Sequence, residues 1–164
     1  MRLTTKGRYA VTAMTDLALH QHENGGRPVS LSDIAKRQSI PPAYLGRLFA
    51  CLRSHGLVES WRGPGGGYRL ARSAGEISIA DMIEAVDERT DNTRCRGQVN
   101  CQDNHKCLTH VLWSDLSRRI EHVLSDICLS DVVSDAQVRE VAERQDAMAK
   151  NRGGAATVQW HQPC

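Results

Sequence analysis

Three cysteines and a histidine recur at regular intervals in a polar stretch of this 164-residue chain: Cys95, Cys101 and Cys107 lie six positions apart, and His110 follows three residues after the last. Thiolates and imidazoles hold soft and borderline metals, so the set is a candidate metal centre. A structural zinc site could use it, but zinc knuckles place two to four residues between cysteines, and this spacing is looser. Thiolates so spaced suit an iron-sulfur cluster at least as well. A neutral imidazole in place of a fourth thiolate makes the ligand set less negative, which raises its reduction potential. It also loosens the hold on the cluster, a property that suits a sensor. His105 competes for the fourth position. His110 is favoured because a helix beginning at Cys107 would set residues three apart on one face.

The elements around the set follow from hydrophobic spacing. Residues 87–106 are polar and aperiodic, which predicts a loop. From Cys107 onward Leu108, Val111, Leu112, Leu116, Ile120, Val123, Leu124 and Ile127 form an apolar stripe longer than one small domain needs, so a dimerisation helix is expected. Beyond Val141 the chain turns polar and is read as a mobile tail. Cys51 and Cys128 read as half-buried small apolar residues, and Cys164 falls on the tail.

The first half has a different character. Residues 1–75 carry 11 Lys/Arg against 4 Asp/Glu, whereas residues 76–164 carry 10 against 15. A basic half within a chain of net charge +2 is the electrostatic footprint of a nucleic-acid-binding face confined to one end. Tyr9, Ala10, Ala13, Met14, Leu17 and Ala18 give a first amphipathic helix over residues 7–20. Ser30 with Asp33 opens a short second helix carrying Leu31, Ile34 and Ala35. Pro41-Pro42 opens a third, buried through Leu45, Leu48, Phe49 and Leu52 and closed by Gly56. Two helices joined by a short turn make a helix-turn-helix, whose second helix enters the major groove. Its outer face is Ala43, Tyr44, Gly46, Arg47 and Ala50. Arg47 can bridge guanine O6 and N7, and Tyr44 can meet a phosphate, a base edge or a thymine methyl.

Leu57–Trp61 and Tyr68–Ala71 alternate on either side of Arg62-Gly63-Pro64-Gly65-Gly66-Gly67. This predicts a β-hairpin wing, with Pro64 and Gly65 at the centre of a turn and Gly66 allowing close backbone approach. Arg62, and with it Arg69, would reach phosphates or a narrow minor groove. A nucleotide loop is disfavoured, since the glycines lack the G-K-[ST] ending and run into a strand. Ser78 with Asp81 opens a further helix carrying Ile79, Met82, Ile83 and Val86.

The expected fold is therefore mainly α: a winged helix-turn-helix over residues 1–90, a cluster-binding loop over 91–107, a long dimerisation helix with a short C-terminal helix over 107–133, and a tail over 134–164. No apolar run is long enough to span a membrane and no apolar segment follows Met1–Lys6, so a cytoplasmic protein with reduced cysteines and no membrane partner is expected. No nucleophile, acid-base pair or substrate pocket declares itself, so no enzymatic activity is expected. Rival readings are a zinc-structured winged-helix repressor and an iron-sulfur carrier or scaffold.

M-R-L-T-T-K-G-R-Y-A-V-T-A-M at the start, R-G-P-G-G-G-Y at 62–68, A-V-D-E at 85–88 and R-C…C…K-C-L-T-H at 94–110 closely resemble the IscR family of bacterial winged-helix regulators of iron-sulfur cluster assembly. The resemblance covers roughly residues 1–133. It implies a homodimer on double-stranded operator DNA, with a [2Fe-2S] cluster on Cys95, Cys101, Cys107 and His110 received from the iron-sulfur assembly machinery. It also implies repression of the assembly operon when loaded, and binding to a different class of site, with activation of genes, when empty. One position departs from the pattern: the family tends to carry an acidic side chain where this chain has Gly46. An acidic group there accepts from cytosine N4 or repels phosphates, and Gly46 removes that lever.

Overall fold

The computed structural model describes residues 4–86, 95, 98–103 and 105–152. Helix α1 runs Thr5–Glu23, and the Thr4 hydroxyl accepts from the Lys6 N–H at its start. Helices α2 (Leu31–Gln38) and α3 (Pro42–Ser54) follow. Ser30 caps α2 by accepting from the Asp33 N–H at 3.1 Å, and Ser39 ends it in the left-handed region (φ 53°). Pro42 occupies the first turn of α3, where its missing N–H has no intrahelical partner to lose. The helix-turn-helix is thus built from the start and stop residues visible in the sequence.

Strands β1 (Val58–Trp61) and β2 (Gly67–Leu70) pair antiparallel, with Val58 opposite Leu70 and Trp61 opposite Gly67. Val29 adds a bridge to this hairpin: its N–H donates to the Tyr68 carbonyl (2.9 Å) and the Tyr68 N–H donates back (2.8 Å). The Tyr68 ring meets Phe49 edge-on with centroids 4.8 Å apart. The wing is therefore fixed both to the turn before α2 and to the buried side of α3. A 3₁₀ turn (Ala74–Glu76) and α4 (Ile79–Ala85) complete this half, with Ser78 and Asp81 forming a capping box. One core holds it together, centred on Met14, Leu17, Ile34, Leu45, Phe49, Leu52, Ile77 and Met82.

The second half departs from the sequence expectation in two places. Helix α5 spans His110–Asp126, so Cys107 lies before the helix and not on its first turn. The expected apolar stripe is present, but Val111, Leu112 and Val123 are 61, 62 and 58 % exposed. Helix α6 (Leu129–Ser134) turns back onto the winged core. The Ile79 N–H donates to the Ile127 carbonyl and the Leu129 N–H to the Ile77 carbonyl (2.9 and 2.8 Å), and Leu129 is fully buried.

The second departure is α7 (Ala136–Arg152), which occupies most of the expected tail and packs on α2 and α6. A buried polar network explains its docking. Arg37 donates to Asp16 through Nε (3.0 Å) and Nη2 (2.6 Å), and Gln38 donates to Asp16 (2.6 Å) and to Gln145 of α7 (2.9 Å). Asp146 of α7 lies 3.0 Å from His20 Nε2, while His20 Nδ1 donates to the Asp16 carbonyl at 2.8 Å. Burial alone would lower the His20 pKa. The Asp16 carboxylate and carbonyl outweigh it and raise the imidazole to about 9. Burial pushes Asp16 up, but His20, Arg37 and Gln38 together hold it below the usual carboxylate range. Among the described residues, α7 is thus ordered by polar partners on α1 and α2. The expected tail over 153–164, with Cys164, and the loop segment 87–94 lie outside the described residues.

Candidate metal centre and DNA-reading surface

Cys95 arrives from the segment after α4, Cys101 from a turn, and His110 from the first residue of α5. The Cys95 and Cys101 sulfurs and the His110 imidazole lie within 4.8 Å of one another. Nδ1 of His110 faces both sulfurs, at 3.4 Å from Cys95 and 3.1 Å from Cys101. The opposite nitrogen, Nε2, is 3.3 Å from the Ser114 hydroxyl one turn along α5. A second hydrogen bond of this kind fixes the ring plane of a ligating histidine and sets which nitrogen points at the metal. Cys95 and His110 are each 7 % exposed, so the centre has a dry side formed by these two and a wetter side formed by Cys101.

Cys107 stands apart from the mutually close three. The His110 N–H donates to the Cys107 carbonyl (3.0 Å) in the turn that starts α5. The Cys107 sulfur still interacts with that of Cys101. The Thr109 N–H directed at it, helped by the Cys101 thiol, lowers the Cys107 pKa. The Cys107 N–H pulls Cys101 down, but the Cys95 thiol, desolvation and the Cys107 thiol outweigh it and leave Cys101 raised. Cys107 therefore carries the more readily formed thiolate at the rim of the group. The helical-phase reason for joining Cys107 to His110 does not hold, and their proximity comes from a turn. His105 is exposed and pairs through its backbone with Gln102 (2.7 and 3.1 Å), and it does not enter the group.

The donor chemistry fits a soft or borderline metal or a cluster: two thiols converge on one imidazole nitrogen, and a third thiol lies against the second.

The other candidate residues lie on the winged half. Ala43, Arg47 and Ala50 are exposed along the outer face of α3, with Tyr44 and Gly46 half-buried between them. The Arg47 guanidinium lies 5.6 Å from the Tyr44 ring centre, and Tyr44 meets Tyr9 of α1 edge-on at 5.7 Å. The Tyr44 ring, itself braced by Tyr9, thus lies beneath the Arg47 guanidinium on an exposed stretch of the helix. A Cβ added at Gly46 would meet nothing within 4 Å, so the face is open there.

In the wing tip the Gly66 N–H donates to the Gly63 carbonyl at 2.9 Å. Gly65 takes φ 76°, the third position of the turn that Pro64 sets up. A Cβ at Gly66 would come within 2.5 Å of the Trp61 carbonyl oxygen, so the tip closes only around glycine. Arg62 is exposed beside it. Arg69 is engaged within the wing: it pairs with Glu59 at 2.7 Å and covers the Trp61 ring at 4.6 Å. The expectation that Arg69 joins Arg62 on phosphates gives way to a bracing role. Trp61 is half exposed next to Arg62, and its only signal in the sequence is an aromatic at the end of an alternating strand. Ser114 and the Asp16 network belong to no motif in the sequence. Asp16 was detectable as a charged residue next to Leu17 on the apolar face of α1.

A family model described as "Iron-dependent Transcriptional regulator", that of the Rrf2 family, matches residues 3–135. The chain is 56 % identical over 147 residues to the HTH-type transcriptional regulator IscR of Xenorhabdus nematophila, covering 90 % of this chain and 88 % of that protein. Among solved structures it is similar to T. potens IscR, at 40 % identity and TM-score 0.67, covering 83 % of this chain and 88 % of the other. It is also similar to CymR, the global cysteine regulator of B. subtilis, at 30 % identity and TM-score 0.69, covering 82 % and 97 %.

Proposed function

Because the chain belongs to the Rrf2 family of iron-dependent transcriptional regulators and, within it, to the IscR group, we propose that it is a homodimeric regulator whose DNA-site choice follows the state of a [2Fe-2S] cluster. Cys95, Cys101, Cys107 and His110 would hold the cluster, received from the iron-sulfur assembly machinery. The observation that carries this reading is the convergence of two thiols on Nδ1 of His110 at 3.4 and 3.1 Å, with Nε2 committed to Ser114. Bound there, the cluster supplies a redox-active and labile group whose presence reports cluster supply.

The chain's own residues carry the rest. His110 is the first residue of α5, and α5 packs on α4 of the winged core. Drawing Cys95, Cys101 and Cys107 onto His110 joins the segment leaving α4 to the start of α5. That fixes the direction of α5, whose exposed face of Val111, Leu112, Leu116 and Val123 is the proposed dimer contact. The angle of α5 in turn sets how far apart the two α3 helices and two wings stand on DNA. Cluster state can shift that arrangement only through its different affinity for the alternatives. On each half-site Arg47 and Tyr44 read the major groove, and Arg62, presented by the Gly65-Gly66 turn, takes phosphates or the minor groove. The outcome at genes is repression of cluster assembly when loaded, and activation at some promoters.

Anaerobic purification with visible absorption, iron and sulfide analysis tests the ligand set. Coloured protein with equal iron and sulfide, lost in Cys101→Ala, supports it. Colourless protein holding zinc would overturn it.

A further inference from the structure

A second cation site lies between the C-terminal turns of α1 and α7. A His20 ring nitrogen, a Glu23 oxygen and an Asp146 oxygen are within 4.8 Å of one another, and it is Nε2 that meets Asp146, at 3.0 Å. His20 and Glu23 are three residues apart on α1, which puts them on one face one turn apart, and Asp146 reaches across from α7.

The orientation of His20 decides what the site asks for. Its ring is more than nine-tenths buried, and Nδ1 is committed as a donor to the Asp16 carbonyl at 2.8 Å. With its pKa raised to about 9, the ring at neutral pH holds a proton on Nε2 that is shared with both Asp146 oxygens, at 3.0 and 3.2 Å, and loss of that proton leaves a lone pair facing the carboxylate. An acceptor held against a carboxylate needs a cation between them, either a proton or a metal ion. A histidine whose other nitrogen donates to a backbone carbonyl is also the usual arrangement of a metal ligand, since that bond fixes the ring and aims the free lone pair.

Charge balance separates the two cations. Asp16 and Arg37 neutralise each other through the contacts at 2.6 and 3.0 Å, so Arg37, 3.8 Å from Asp146, is already matched. What remains around neutral His20 is the pair of carboxylates on Asp146 and Glu23. A proton on Nε2 pairs with Asp146 and leaves Glu23 to solvent and to the groove it lines with Arg72 and Arg139, whereas a divalent ion engages both carboxylates at once. Glu23 is exposed, so the site opens to solvent on one side and leaves room for water ligands.

We propose that His20, Glu23 and Asp146 form a divalent transition-metal site that clamps α7 to α1, independent of the cysteine centre. On binding, the metal takes the place of the Nε2 proton, which leaves to solvent. One imidazole and two carboxylates form a donor set of intermediate hardness, suited to Mn2+, Fe2+ or Zn2+. Because α7 also packs on α2, an ion here stiffens the support of the helix-turn-helix from behind.

Mn2+ alone is the informative probe, since it favours oxygen and imidazole over the thiolates of the other centre. The full-length, cluster-free, thiol-reduced chain is titrated with Mn2+, and free ion is counted by its electron paramagnetic resonance signal. One Mn2+ per chain is expected, bound at least tenfold more weakly in Glu23→Gln and in Asp146→Asn and unchanged in Cys101→Ser. Glu23 is exposed and outside the Asp16 network, so Glu23→Gln retains the fold, which an unchanged thermal midpoint without metal verifies. No Mn2+ bound up to millimolar concentration, equal binding in both carboxylate variants, or loss of binding in Cys101→Ser would each overturn the proposal. The last would place the ion in the cysteine centre.

Discussion

Replacing Leu129 with alanine removes the one fully buried side chain by which the α5–α6 corner enters the winged core. If α5 is to pass the state of the cysteine centre to α3 and the wing, this corner must belong to the core. Leu129 is 0 % exposed, and its backbone is held by the 2.8 Å hydrogen bond to the Ile77 carbonyl, so α6 cannot easily collapse into the space left. Leu→Ala at closed sites costs about 2–5 kcal/mol, and the fixed backbone places this one at about 3 kcal/mol. For a chain of this size that lowers the thermal midpoint by roughly 6–12 °C. Urea denaturation at one fixed protomer concentration, with Met148→Ala as the exposed control, measures it. The control should change by less than about 0.5 kcal/mol. A loss below about 1 kcal/mol in Leu129→Ala would mean that α6 is only laid against the core, and the proposed coupling through α5 would lose its mechanical basis.

Three further outcomes are expected. Arg47→Ala should cost about 1–3 kcal/mol of binding at preferred DNA sites and relax specificity at one base pair, whereas Arg62→Ala should weaken all sequences alike and reduce the salt dependence, as competition binding at two salt concentrations would reveal. Gly66→Ala should weaken DNA binding in a mobility-shift assay while leaving helical circular dichroism near wild type, because a Cβ there collides with the Trp61 carbonyl and forces the tip open. In chelator, the His20 contribution to stability is fully present below its ordinary pKa of about 6.5 and is lost as pH rises through about 9, since the folded protein binds the proton more tightly than the unfolded chain. Denaturation midpoints should therefore fall between pH 7 and 9.5 in the wild type and flatten there in His20→Gln.

The winged half was legible in the sequence because its signals are local. Ser30 with Asp33, Pro42, and Pro64 with Gly65 each dictate a start or turn within a few residues, and each sits where its chemistry requires. The cysteine set was visible as spacing, but its arrangement was not. Cys107 was expected on the first helical turn, whereas α5 begins only at His110, because a run of thiols and polar residues carries no periodic signal to mark a helix start. Helix α7 is hidden in the sequence for a different reason. Its mean composition is polar, and what docks it is Asp146 and Gln145 meeting His20 and Gln38 over more than a hundred residues of sequence. No local pattern encodes a buried polar network whose partners are that far apart. Arg69 illustrates the same limit at short range: only the strand register, which sets Glu59 opposite Arg69, shows that its charge is already engaged.

The central claim is that cluster state at His110 changes which DNA the α3 helices and wings select. Selection from a randomised DNA pool, performed anaerobically in parallel with loaded and cluster-free protein, addresses it directly. Two different consensus sites, with Cys101→Ala always selecting the cluster-free one, are the predicted result. One common site, bound with equal affinity by loaded and empty protein, would contradict the account.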